Sequence, residues 1–145
     1  MTPIGRAAGR AGAALATLVP VVSVRRSNTI LYTDRWADMV AFYRDTLALT
    51  VEFENEWFVE FATGPGSFVS VADARRSSVA PGHGAGLTQS LQVDDVHEVR
   101  SELIRAGVQV GEVGVRWGAD VVDVHDPAGN RLEFWASRVT DPQSG

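Results

Sequence analysis

The same order of elements occurs twice in this chain, and that repeat limits the folds open to it. Ser27-Asn28-Thr29-Ile30-Leu31-Tyr32-Thr33 has the β-branched and aromatic content of a strand. Asp34 follows as a candidate N-cap, and Trp36, Met39, Val40, Phe42, Tyr43 and Leu47 then recur at helical spacing. Leu49 to Phe53 alternates as a strand, and Glu54-Asn55-Glu56 is a turn. Trp57 to Ala62 and Ser67 to Ala72 read as two strands around Gly64-Pro65-Gly66. Residues 73–86 form a linker rich in Gly, Ser and Arg, after which the series resumes. Leu87 to Val93 is a strand, Asp95 caps a helix to about Ala106, and Gly107 fits its exit. Val108 to Val113, Ala119 to His125 and Arg131 to Trp135 are the remaining strands, the last two joined by Asp126-Pro127-Ala128-Gly129-Asn130. Asp34 matches Asp95 at an offset of 61, and Ser70 matches Glu133 at an offset of 63. The expected fold class is α+β: two tandem βαβββ modules, each a sheet with a helix on one face, whose sheets enclose a cleft. The chain then divides into an N-terminal extension expected to be flexible (1–26), a first module (27–72), the linker (73–86), a second module (87–137) and a tail (138–145).

Composition removes several function classes. Cysteine is absent from the 145 residues, so disulfides, thiol nucleophiles and thiolate metal sites are excluded. All 13 basic residues are Arg, which excludes a catalytic lysine and a P-loop. Residues 1–26 hold four Arg and no acid, whereas the remainder holds nine Arg against 18 acids. A body that acidic repels a phosphate backbone, so no nucleic-acid partner is expected. No apolar run has the roughly 18 residues of a membrane span, so no membrane partner is expected either. Arg6 and Arg10 precede an Ala/Leu/Val run as in a short signal peptide, but the small triplet Ala14-Leu15-Ala16 lies inside that run. A plain extension accounts better for the segment, and a cytoplasmic location is expected.

Strand parity divides the faces. Ile30 and Tyr32 are expected beneath the first helix, with Ser27, Thr29 and Leu31 alternating toward the cleft. In the second module Leu91 and Val93 take the core side, while Thr88, Ser90 and Gln92 take the cleft side. Trp57, Val59, Phe61, Val122 and Val124 fit the core. Phe58, Glu60, Asp123 and His125 then point the other way, with Phe68, Ser70, Ala72, Arg131, Glu133 and Trp135 from the closing strands. The expected ligand-binding set is Ser27, Thr29, Glu60, Ser70, Thr88, Ser90, Gln92, Asp123, Arg131, Glu133 and Trp135. Its hydroxyl, carboxylate and indole groups suit a hydroxylated or cationic organic ligand better than an anion. His83 in the linker and Trp117 before the seventh strand are candidates to close over the cleft.

Two segments carry a family resemblance. Thr33-Asp34 with Phe42-Tyr43-Arg44-Asp45-Thr46-Leu47 resembles the "D…FYRDxLGL" segment of the vicinal oxygen chelate superfamily, with Ala48 where Gly is usual. His125-Asp126-Pro127-Ala128-Gly129-Asn130-Arg131-Leu132-Glu133-Phe134 resembles its "DPxGNxxE" closing hairpin. That superfamily includes glyoxalase I, bleomycin-resistance proteins, fosfomycin-resistance enzymes, methylmalonyl-CoA epimerase and extradiol dioxygenases, and the likeness covers about residues 27–137. Its metal-dependent members place His or Glu early in each module's first strand and in each closing strand. Counting seven back from Asp34 and from Asp95 puts Ser27 and Thr88 at the first pair, and the closing pair is Ser70 and Glu133. A shift of one residue brings only Asn28 or Gln89. One carboxylate among hydroxyls is a poor metal site, so no metal and no cofactor are expected.

The resemblance therefore implies a metal-independent small-molecule-binding protein of the bleomycin-resistance type, sequestering an organic ligand between the modules, and a homodimer. The alternative is a metal-independent isomerase, epimerase or lyase with Glu133 as catalytic acid or base and Ser27, Ser70 or Thr88 as donors to an oxyanion. The reading preferred over that role makes Glu133 a former ligand position bonded to Arg131, Ser27 or Thr88. A third reading is a regulatory or dimerisation module whose cleft is filled by its own side chains.

Overall fold

Alternation along the eight strands of the described residues sets the layers. The computed structural model describes residues 18, 19 and 21–138. The first module contains β1 (Ser27–Thr33), α1 (Trp36–Ala41) running into a π-helical turn at Phe42–Thr46, β2 (Thr50–Glu54), β3 (Phe58–Gly64) and β4 (Ser67–Asp73). A short 3-10 turn (Ala74–Arg76) opens the linker. The second module contains β5 (Thr88–Gln92), α2 (Val96–Arg105), β6 (Gly114–Arg116), β7 (Ala119–His125) and β8 (Arg131–Ser137). The sheets are ordered β1-β4-β3-β2 and β5-β8-β7-β6, with β1 parallel to β4, β5 parallel to β8 and the other neighbours antiparallel. This is the expected α+β architecture of two tandem βαβββ modules. Most of residues 1–26 and nearly all of the tail 138–145 lie outside the described residues. Among the described residues no helix is long and apolar enough to cross a membrane.

The helix-side faces of both sheets supply one hydrophobic core. Val59, Phe61, Val69 and Val71 from the first sheet join Val122, Val124, Leu132 and Phe134 from the second, with Met39, Phe42, Tyr43, Val96 and Leu103 from the helices. Each fully buried Val, Leu or Phe contributes about 1.5–3 kcal/mol relative to exposure. The second module's parity is as expected: Gln89 and Leu91 pair with Leu132 and Phe134 on the core side, and Thr88, Ser90 and Gln92 pair with Arg131, Glu133 and Trp135 on the open side.

In the first module β1 is inverted relative to expectation. Leu31 is buried, whereas Ile30 is 37% exposed and shares the open face with Ser70. Ser27 and Thr29 register with Ser67 and Val69, so their side chains belong to the opposite face from Ser70. The cause lies at the helix start. Asp95 does cap α2, accepting from the backbone N–H of His97 and Glu98. Asp34 caps nothing; Arg35 holds the N-cap position of α1, and its N–H donates to Thr33 Oγ1 at 2.9 Å. Asp34 thus corresponds to Asp94, and counting from it displaces every β1 residue by one place, which reverses a strand's faces.

Two further differences are local. Val108 to Val113 forms no strand. Val108, Val110 and Val113 pack against the core, and Arg100 Nε donates to the Gly111 carbonyl where a ladder would run, so the edge strand starts only at Gly114. The first helix ends in a wider turn, with Leu47 N–H donating to the Phe42 carbonyl and Ala48 at φ 56°.

The modules are tied across their shared core by Tyr43. Its hydroxyl donates to Asp126 Oδ2 at 2.7 Å and accepts from Gln89 Nε2 at 2.9 Å. Arg35 Nη1 donates to the Pro127 carbonyl at 2.9 Å. Burial, then the Asp126 carboxylate, raises the Tyr43 pKa far above its ordinary 10.0. A folded chain therefore keeps this phenol protonated where an unfolded chain has lost the proton. Stability should fall above about pH 10 by roughly 1.4 kcal/mol per pH unit from this group. Urea unfolding of wild type and Tyr43→Phe at pH 9 to 11 checks it: the variant starts less stable but shows the shallower alkaline decline.

Candidate functional site

The faces turned away from the core carry the polar side chains, and each sheet builds its own network. On the first sheet, Ser70 Oγ donates to Asn28 Oδ1 at 2.8 Å, and Asn28 Nδ2 donates to Glu60 Oε2 at 3.1 Å. Arg26 closes the set by pairing with Glu60 at 3.0 Å, its guanidinium 3.8 Å from the centroid of the Phe68 ring. Ile30 and Tyr32 of β1 share this face with Ala72, Phe58 and Ala62. Ser70 is fully buried and satisfied.

On the second sheet, Ser90 Oγ donates to Glu133 Oε1 at 2.8 Å. Arg116 reaches Asp123 at 2.7 Å and Glu133 at 3.5 Å, while Arg131 reaches the same carboxylates at 3.4 and 3.6 Å. Arg131 Nη1 also lies 3.4 Å from Thr88 Oγ1. Two guanidinium groups thus balance two carboxylates on a strand pair where Asp123 and Glu133 are in direct register. Above them is a cavity of about 310 Å³ lined by Ser90, Arg116, Trp117, Val121, Glu133 and Trp135.

Trp117 and Gly118 form a two-residue β6–β7 hairpin turn with φ 50° and 76°. The first of these conformations favours Gly or Asn, so a Trp there costs about 1 kcal/mol. Its side chain is 94% exposed. It borders the cavity, as does the half-buried Trp135.

Of the expected ligand-binding set, Thr88, Ser90, Asp123, Arg131, Glu133 and Trp135 gather on the second open face, with Gln92 in register beside Trp135. Glu60 and Ser70 lie on the first. Ser27 and Thr29 belong with neither. Among the described residues no hydrogen bond or ion pair joins the two networks. His83 does not close over either face: its Nε2 is 3.2 Å from Asp34 Oδ2, beside the helix start. His125 is on the second open face and exposed. Asn28, Arg26 and Arg116 are the members that sequence reasoning left out. Asn28 lies one place beyond the position reached by counting back from Asp34, and Arg116 is brought to the face only by the hairpin, which pairs it with Ala119 across Trp117-Gly118.

Residues 25–134 match the family profile of the glyoxalase/bleomycin resistance protein/dioxygenase superfamily. The chain belongs to that superfamily. No curated protein sequence matches it. Among solved structures, lactoylglutathione lyase from Agrobacterium tumefaciens is similar at 25% identity and TM-score 0.62, over 81% of this chain and 94% of that one. A glyoxalase/bleomycin resistance protein/dioxygenase from Nocardioides gives 18% identity and TM-score 0.65, over 94% and 97%. The bleomycin resistance determinant encoded on the transposon Tn5 gives 15% identity and TM-score 0.62, over 79% and 98%. The last two likenesses concern the fold alone.

The superfamily's metal positions can now be tested against the side chains that occupy them. With β1 correctly aligned they are Asn28, Ser70, Thr88 and Glu133. The Asn28 amide oxygen already accepts from Ser70, and Glu133 is held by Ser90 between two guanidinium groups. Two adjacent positive charges oppose a divalent cation at the one carboxylate of the set. Among the described residues no three His, Asp or Glu side chains are grouped to hold a metal. The residues present do not fit the group.

Proposed function

We propose that this superfamily member binds a planar, hydroxylated organic molecule on the open face of its second module, without a metal and without turning it over. The observation that carries the reading is Glu133. Its carboxylate is engaged by Ser90 and flanked by Arg116 and Arg131, so it serves as an acceptor for a ligand hydroxyl rather than as a cation ligand or a free base. Trp117 and Trp135 border the same cavity and offer indole faces to an aromatic ring. The paired guanidinium groups offset Asp123 and Glu133, which favours the hydroxylated ligand over the cationic one.

A homodimer accompanies this reading. Ile30 and Phe53 leave apolar surface exposed on the first module, and a second copy seated there would bury it.

Native mass spectrometry of the purified chain, followed by tryptophan fluorescence with a panel of polyhydroxylated aromatic natural products, tests the proposal. Binding should be stoichiometric, with the compound recovered unchanged. Trp117→Ala should weaken it by roughly 1–2 kcal/mol, about five- to thirtyfold, without lowering stability. Glu133→Gln should weaken it more mildly. A stoichiometric divalent metal, or a bound compound consumed by wild type and spared by Glu133→Gln, would overturn the reading.

A further inference from the structure

A second cavity, of about 480 Å³, opens on the other side of both sheets from Ser70 and Glu133. It lies where the two modules meet. Leu47, Leu49 and Val69 line it from the first module, and Leu91, Leu103 and Phe134 from the second. Tyr43 and Gln89, already bonded to each other, add polar atoms to the wall. That volume is of the size that holds a small organic molecule, and its wall is mostly apolar.

The rim has one sign of charge. Asp94, Asp95, Glu98 and Glu102 all border the cavity, and among the described residues no Arg or His does. Two of these carboxylates are committed: Asp95 caps α2, and Glu102 pairs with Arg105. Asp94 and Glu98 make no ion pair among the described residues and are exposed at the mouth. Glu98 and Glu102 also stand one helical turn apart, a like-charge spacing that destabilises a helix and that a bound cation would relieve.

The geometry points to a site for an amphiphilic amine, with its apolar body between the modules and its ammonium group at Asp94 and Glu98. An anion of the same shape meets repulsion there, and a neutral analogue gains only the apolar contact. The site is separate from the indole-lined cavity of the second open face, and the two readings stand independently.

Three probes with one ring system separate the contributions: pyrenemethylamine, pyrenemethanol and pyreneacetic acid, titrated into the full chain and followed by pyrene emission. The amine should bind roughly tenfold or more tighter than the acid, with the alcohol between, and the gap should shrink as salt is added. Asp94→Asn with Glu98→Gln, both at exposed positions, should weaken the amine roughly five- to tenfold and leave the alcohol unchanged. Val99→Trp, which fills the wall, should abolish the advantage of the amine over the acid, while Gly82→Ala, away from both cavities, should leave it unchanged. Equal affinity for the three probes, a gap indifferent to the charge variants, or a gap that survives Val99→Trp would overturn the proposal. Amine binding that emerges only when Arg6 and Arg10 are changed to Glu would also overturn it, by assigning the groove to the chain's own basic segment.

Discussion

Asp126→Ala should lower the free energy of unfolding by about 3–5 kcal/mol, the cost of breaking a buried, fully bonded charged group. Asp126 is 4% exposed, and its oxygens are saturated. Oδ1 accepts from the backbone N–H of Ala128 at 3.0 Å and of Asn130 at 2.9 Å, Oδ2 accepts from Tyr43 at 2.7 Å, and Asn130 Nδ2 donates to both. The first bonds shape the β7–β8 turn. The bond to Tyr43 joins residues 83 positions apart and crosses between the modules. Removal leaves the Tyr43 proton without its acceptor inside the core, because Gln89 is oriented to donate to that oxygen. A double-mutant cycle with Tyr43→Phe separates the contributions. Coupling of about 1–3 kcal/mol is expected, so the double variant should be little worse than Asp126→Ala alone. Urea midpoints with unchanged slopes are the measurement. Additive losses would mean that the turn, and not the bridge, accounts for the role of Asp126.

The same aspartate shows what could be read from sequence. The closing hairpin, the repeat and seven of the eight strands are visible because each depends on local chemistry. A Pro-Ala-Gly-Asn turn, alternating apolar residues and helical spacing each leave a pattern within a few residues. The second open face was legible for the same reason. Asp95 is a true cap, so counting from it orients β5 correctly. The first face was half legible, since β3 and β4 are fixed by buried Val59, Phe61, Val69 and Val71, but β1 was not. Its residues Asn28 to Tyr32 mix apolar and polar side chains on both faces, so hydrophobicity alone does not choose a register, and the decision fell to Asp34. That residue resembles a cap in every local respect. Only the backbone reveals otherwise: the Met39 N–H donates to the Arg35 carbonyl, so the helix starts one residue later and has no side-chain cap.

Nonlocal features were the least legible. Val108 to Val113 has the alternation of a strand, yet a strand also needs a neighbour, and the Gly111 carbonyl is taken by Arg100. Arg116 became a site residue because a two-residue turn folds it back beside Asp123, seven positions on. The neutralisation of Glu133 likewise depends on side chains from β6 and β8 converging above one strand. Sequence could name the carboxylate, offer Arg131 among its partners and count the missing metal donors, but it could not bring Arg116 beside them, and the pair of guanidinium groups decides what the carboxylate is fit for.

Gly84→Ala should cost about 2–4 kcal/mol, whereas Gly82→Ala, two residues earlier, should be nearly neutral. A methyl group at Gly84 would stand 2.1 Å from the Gly129 carbonyl oxygen and 2.5 Å from its carbon, with the backbone at φ +85°. Both the contact and the conformation demand glycine, and the obstacle is backbone on both sides, so no side chain can yield. At Gly82 nothing lies within 4 Å of the added carbon. The loss at Gly84 has a ceiling, because the linker can release from the β7–β8 turn rather than unfold the sheets, taking the His83–Asp34 contact with it. Limited proteolysis should therefore report the change more strongly than the urea midpoint. Cleavage within residues 77–86 should accelerate in Gly84→Ala while fragments spanning each module persist. Equal protease resistance in the two variants would mean that the Gly84–Gly129 approach does not hold the linker. Accelerated cleavage throughout the modules would instead make the linker part of the cooperative core, joined to the turn that Asp126 already fixes to Tyr43.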